Sequence, residues 1–145
     1  MKRFFLTLAV LLSVGAFVSA QEWLSDYPQA LAQAKAQKKA VVIDFTGSDW
    51  CTWCMKLDRE VFATAEFKNY AAQNLVLLRA DFPKRHALPA AQEAHNEKLA
   101  ARYHVNAFPT VIVLRSDGSK AGELGYQPGG PRPFLRSVEK LTGTR

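Results

Sequence analysis

Cysteine is scarce in this chain, at 2 of 145 residues. That is too few for a disulfide-laced scaffold, which needs four or more. Long apolar runs are short too. Phe4 to Phe17 carries no charge and is mostly Leu, Val, Phe and Ala, but it falls below the ~20 residues of a comfortable membrane span. Basic residues outnumber acidic ones by 19 to 13, a formal charge of +6. They form no stripe. Lys35, Lys38, Lys39, Lys56, Lys84 and Arg85 are dispersed, with no aromatic residues interleaved, which argues against a nucleic-acid surface. There is no internal repeat, low-complexity tract or interdomain linker, and the length holds one domain rather than two. The 22% charged and 11% aromatic fractions fit a globular domain rather than a disordered tail.

The first twenty residues are read as an address. Lys2 and Arg3 precede the apolar run, and Val18-Ser19-Ala20 offers the small residues a signal peptidase reads. The expectation is a secretory leader at 1–20, cleaved near Ala20-Gln21, and a mature domain at 21–145 that is secreted or periplasmic, with no stable membrane insertion. No cysteine follows the apolar run, which argues against a lipid anchor. Without Lys2 and Arg3 the balance is 17 basic to 13 acidic residues, or +4, ordinary for a soluble surface. Export also implies a space where thiols are oxidised or managed.

Along the rest of the chain, periodicity and turn signals alternate. Ser25 or Asp26 as cap and Pro28 in the first turn predict a helix to about Lys38. Ala40 to Phe45 is a β-branched apolar run, predicted as a buried strand. Thr46-Gly47-Ser48-Asp49 is turn material, and Cys51 to about Phe62 has helical spacing. Thr64 caps a further helical stretch, Leu75 to Phe82 is a second strand, and Pro83 to Pro89 is a basic loop. Ala90 to Tyr103 is a helix, and Thr110 to Leu114 a third strand. Asp117-Gly118 turns into an antiparallel partner over Lys120 to Tyr126. A last helix runs from Pro133 to about Leu141. The order α-β-α-β-α-β-β-α predicts a parallel core with the closing hairpin as an antiparallel edge.

The chemistry sits at Trp50-Cys51-Thr52-Trp53-Cys54. A helix start offers unpaired N–H groups and the positive end of the helix dipole, both of which stabilise a thiolate. Cysteines in such Cys-X-X-Cys sites ionise well below the usual ~8.5. Cys51 is therefore the expected attacking thiolate, and Cys54, one turn deeper, the group that resolves a mixed disulfide. Two alternatives stand beside this reading. A disulfide closing so short a loop could be a staple, although it would remove only about 2 kcal/mol of denatured-state entropy. A metal site would need four ligands. His86, His95 and His104 lie nine residues apart, which is not a ligand-pair spacing. The corresponding functions are a copper or zinc carrier using Cys51, Cys54 and a histidine such as His104, and a client-binding module whose thiols are incidental. No cofactor and no metal are expected under the main reading.

Phe45-Thr46-Gly47-Ser48-Asp49-Trp50-Cys51-Thr52-Trp53-Cys54, followed by Phe108-Pro109-Thr110, resembles the thioredoxin superfamily. In detail it is similar to exported bacterial thioredoxin-like proteins with a Gly-Ser-Asp-Trp-Cys-X-Trp-Cys stretch. The resemblance spans roughly Trp23 to Leu141. It implies a three-layer α/β/α fold around a mixed sheet of about four strands. It implies a redox disulfide between Cys51 and Cys54, and a thiol–disulfide oxidoreductase, with reduction the favoured direction. Pro109 matches the family's cis-proline, with Phe108 and Thr110 beside it as substrate-binding residues. Asp44 matches the buried acid that helps move the resolving cysteine's proton, and its catalytic role is implied on that basis. The Asp44–Cys51 stretch is one residue longer than in ordinary thioredoxins. Trp50 and Trp53 are expected to give an apolar surface for an extended client. Trp53 stands where better-known relatives carry Pro or His, which implies a couple less oxidising than the strongest periplasmic oxidants. The implied partners are client proteins with disulfides or thiols and a membrane or periplasmic electron donor. Asp81 to Pro109 exceeds the matching stretch of a minimal thioredoxin, and the extra residues around Pro83 to Glu97 either shape partner choice or merely elaborate the surface.

Overall fold

Local signals set most of the elements. The Asp26 carboxylate accepts the Gln29 N–H at 2.7 Å and starts helix α1, Tyr27–Gln37, with Pro28 in its first turn. Strand β2, Ala40–Thr46, follows. Helix α2, Thr52–Leu57, runs into a π-helical turn, Asp58–Phe62, so that the expected single helix changes pitch midway. Thr64 caps helix α3, Ala65–Asn74, which leads into strand β3, Leu75–Asp81. Helix α4 spans Ala90–Tyr103, strands β4 and β5 span Thr110–Leu114 and Lys120–Leu124, and helix α5 spans Pro131–Thr142. The computed structural model describes residues 22–143. The leader expected at 1–20 lies outside the described residues.

The sheet has five strands, in the order β1-β3-β2-β4-β5, rather than about four. The addition is β1, Trp23–Leu24, paired in parallel with Leu77 and Leu78 at the edge. Two residues are too few to show a period of two, so no sequence pattern announces it. The expected parallel core is also corrected. β2 and β3 are parallel, but β4 is antiparallel to β2, with Phe45 opposite Thr110. Alternation of helix and strand does not say at which end a helix returns the chain. Here α4 and its flanking loops leave β3 and come back to the same end of the sheet.

Period two divides the core. Val42, Leu75, Leu77, Val111 and Val113 face the π turn, α3 and α5, where Phe62, Phe67 and Phe134 meet edge to face or tilted. Val41, Ile43, Phe45, Val76, Leu78, Ile112 and Leu114 face α1 and α4. All strand residues in these two sets are essentially buried. Each face gains the hydrophobic stabilisation of a full layer, and one end of the central strands between them carries the loops of the site.

Candidate active site

Three segments meet at one end of the sheet. β2 ends at Thr46 opposite Asp81 of β3, Phe82 N–H donates to Thr46 O at 2.8 Å, and β4 begins at Thr110 opposite Phe45. From Thr46 the chain turns through Gly47 to Trp50, and Cys51 N–H closes the turn on Gly47 O at 2.9 Å. Gly47 is required by close approach. A methyl group there would overlap the Trp50 indole.

Cys51 caps α2. Its backbone is extended, and its sulfur accepts the Cys54 N–H at 3.3 Å. Cys51 and Cys54 form a disulfide with Cα atoms 5.2 Å apart. Cys51 is 7% exposed and Cys54 3%. Cys54 does not end in packed apolar core. It lines a cavity of about 160 Å³ with Thr46, Ser48, Met55, Asp58 and Arg79. The N–H aimed at Cys51 Sγ would stabilise negative charge on that sulfur once the bond is reduced.

Asp44 is buried in the middle of β2. Its Oδ2 accepts from Arg79 Nε at 3.2 Å, and its Oδ1 has no hydrogen-bond partner. Burial pushes its pKa up to about 7, against the pull of the Arg79 charge and hydrogen bond. Arg79 sits beside Asp44 in register on β3 and reaches outward, with Nη2 on Asp58 Oδ1 at 2.8 Å and its guanidinium 4.4 Å over the Trp23 ring. Asp44 and Cys54 are thus linked through a shared neighbour, since Arg79 touches the first and lines the cavity of the second. Sequence reasoning missed both Arg79 and Asp58. Strand register and the π turn bring them together, and neither has a sequence signal of this kind.

The aromatic residues divide into two flanks. Trp50 donates from Nε1 to Phe82 O at 2.7 Å, stands edge-on to Phe108 at 6.0 Å, and carries Lys84 Nζ 3.8 Å from its ring centroid. Phe108 also tilts against Phe82 at 5.1 Å, and the Phe108–Pro109 peptide bond is cis. Thr110 is buried, with its hydroxyl donating to Ala107 O at 2.8 Å. On the other flank Trp53 is 54% exposed and lies 5.1 Å from Tyr126, with Lys56 Nζ 5.0 Å from each ring centroid. Tyr126 donates to Glu60 at 2.6 Å. Met55 is the other large exposed apolar side chain among the described residues.

Asp49, turn material in the sequence and part of the motif before Cys51, fastens the loop after β3. Its carboxylate accepts the Lys84 and Arg85 N–H groups at 2.9 and 2.7 Å and pairs with His86 Nδ1 at 3.2 Å. The backbone N–H of Lys84, with help from Arg85 and His86, holds Asp49 below the usual carboxylate range despite partial desolvation. The extension around Pro83 is therefore tied to the residue before Trp50. The histidines do not gather. His95 accepts from Tyr27 N–H at 3.4 Å, and His104 ends α4 in the left-handed conformation. Among the described residues no group of three or more His, Cys, Asp or Glu could hold a metal ion, and no helix is long and apolar enough to cross a membrane.

Comparison with known proteins places these features. A family described as Thioredoxin-like matches residues 22–116. The disulfide bond reductase DsbH of Chlamydia pneumoniae is 34% identical over 124 residues, covering 86% of this chain and 74% of that protein. The thiol:disulfide interchange protein DsbD of Vibrio cholerae is 41% identical over 95 residues, 66% of this chain but 14% of that much longer protein. A solved structure described as DsbH oxidoreductase superposes with a TM-score of 0.81 at 29% identity, covering 96% of both chains.

Proposed function

The chain belongs to the Thioredoxin-like family and is a thiol–disulfide oxidoreductase, and from that premise we propose that it works as an exported reductase of protein disulfides. The observation that carries the reading is the Cys51–Cys54 disulfide at the cap of α2, with an N–H aimed at the Cys51 sulfur. In the reduced protein the Cys51 thiolate attacks one sulfur of a client disulfide and expels the other as a thiolate. Cys54 loses its proton into the polar cavity, its thiolate attacks Cys51 Sγ, and the second client sulfur leaves. The client gains two electrons and two thiols, and the protein holds the disulfide. A dithiol donor in the same compartment must then return two electrons.

Each remaining residue has a role in this scheme. Asp44, held with a pKa of about 7, exchanges protons near neutrality. Arg79, which contacts Asp44 and lines the cavity of Cys54, couples the charge of that carboxyl to the resolving thiol. Trp50, Trp53, Phe108 and cis Pro109 form the rim on which an extended client lies, with Pro109 offering its backbone and buried Thr110 anchoring the turn behind it through Ala107 O. The reductive direction is supported by the likeness to the disulfide bond reductase DsbH and by the absence of a histidine between the cysteines. Export is supported by the Lys2–Ala20 pattern.

The test is reduction of a protein disulfide substrate such as insulin by the dithiol-treated mature chain. Wild type should turn over with a dithiol donor, Cys51→Ser should be inactive, and Cys54→Ser should accumulate a mixed disulfide through Cys51. Equal activity in wild type and Cys51→Ser would remove the reading. For export, the full chain expressed in a bacterium should be recovered outside the cytoplasm beginning near Gln21. Recovery only as uncleaved cytoplasmic protein would overturn that part.

A further inference from the structure

The charges around the disulfide are held in two ways. The carboxylates keep their charge, but each is hydrogen-bonded within the protein. Asp49 accepts from Lys84 N–H, Arg85 N–H and His86. Asp58 is taken by Arg79, Glu60 by Tyr126, and Asp81 by the Ser48 amide and hydroxyl at 3.0 and 2.6 Å. Among the described residues neither Lys56 nor Lys84 enters an ion pair. Each is instead held over the ring of a site tryptophan, Lys84 on Trp50 and Lys56 on Trp53 and Tyr126. Attraction to a ring face orients a cation without neutralising it. An unpaired ammonium therefore stands over a site tryptophan on each side of the Cys51–Cys54 pair.

We propose that this rim selects clients in which the reacting cysteine lies in an extended segment with Asp or Glu on both sides of it. The proposal rests on the oxidoreductase reading above and names its substrate class. An acidic flank meets Lys84 on the Trp50 side and Lys56 on the Trp53 side, while the segment's apolar atoms cover the exposed faces of Trp53 and Met55. A basic flank meets like charge on both sides, and like-charge juxtaposition rejects partners as effectively as attraction chooses them. Asp49 contributes indirectly, since its carboxylate fixes the backbone that presents Lys84.

Three synthetic peptides test this, each closed by one intramolecular disulfide, with the residues flanking both cysteines all Glu, all Gln or all Lys. Their rates of reduction by pre-reduced wild type are measured in single turnover at low and high salt. Glu should exceed Gln and Gln exceed Lys, with roughly tenfold between the extremes at low salt. That spread should narrow as the Debye length falls from about 10 Å toward 3 Å. In a Lys56→Gln, Lys84→Gln double variant the Glu-to-Lys ratio should approach one. Equal rates on the three peptides, or a preference that survives in the double variant, would overturn the charge proposal and leave the oxidoreductase reading standing. Failure to reduce any of the three would overturn the reading on which it rests.

Discussion

At the scale of the residue, Asp44 carries the clearest consequence. Its folded-state pKa of about 7 lies above the ordinary 3.8, so between these values the unfolded chain gives up a proton that the folded chain keeps. Stability contributed through this group therefore falls as pH rises from about 4 to about 7 and is level above that. Asp44→Asn removes the titration. The variant should match wild type near pH 4 and exceed it at pH 8 by up to about 4 kcal/mol, read from urea transitions at a series of pH values. A variant with the same pH profile as wild type would show that Asp44 is not the titrating group. Burial of Asp44 was legible from Val42, Ile43 and Phe45 around it, while its partner Arg79 was not, because register is set across strands that lie 35 residues apart in the chain. Gly47 gives a second outcome at this scale. Gly47→Ala must push the Trp50 ring away and break its hydrogen bond to Phe82 O. The expected result is a red-shifted, more accessible tryptophan emission and slower reaction with client disulfides.

At the scale of the element, the helices and the three long strands were legible because caps, proline positions and β-branched runs are local signals. The π turn was not. Cys51 to Phe62 has ordinary helical spacing in sequence, yet Ala63 N–H bonds to Asp58 O, five residues back. Such turns are found at functional sites, and here it ends the helix that begins at Cys51 and holds Asp58 beside Arg79. The loop between Pro83 and Pro89 was legible as a loop, with a part in partner choice as one of two readings, but its attachment was not, because Asp49 and the Trp50 ring that hold it are distant in sequence. Asp49→Ala removes the acceptor for two backbone N–H groups. Amide hydrogen exchange at Lys84 and Arg85 should then accelerate severalfold, while exchange in β2 and β4 stays as in wild type. Unchanged exchange at both amides would mean that the loop is held by something other than this carboxylate.

At the scale of the whole molecule, one sheet serves two cores, and the site hangs from one end of its three central strands. The aromatic group of Phe62, Phe67 and Phe134 joins the π turn, α3 and α5 on one face, with Trp23 edge-on to Phe62 at 5.1 Å. The composition and alternation of the strands announced two apolar faces, but which helix covers which face depends on the antiparallel course of β4, which no local pattern encodes. Because every strand of the central three contributes to both cores, neither face can lose its packing while the other stays intact, and unfolding should be a single transition. Phe134→Ala tests this at a distance from the disulfide. Phe134 is fully buried, so its truncation should cost about 3–5 kcal/mol. The loss should appear equally in far-ultraviolet circular dichroism, which reports the helices, and in tryptophan fluorescence, to which Trp50 and Trp53 contribute from the site. Two separated transitions would show instead that the face bearing α1 and α4 holds the site by itself.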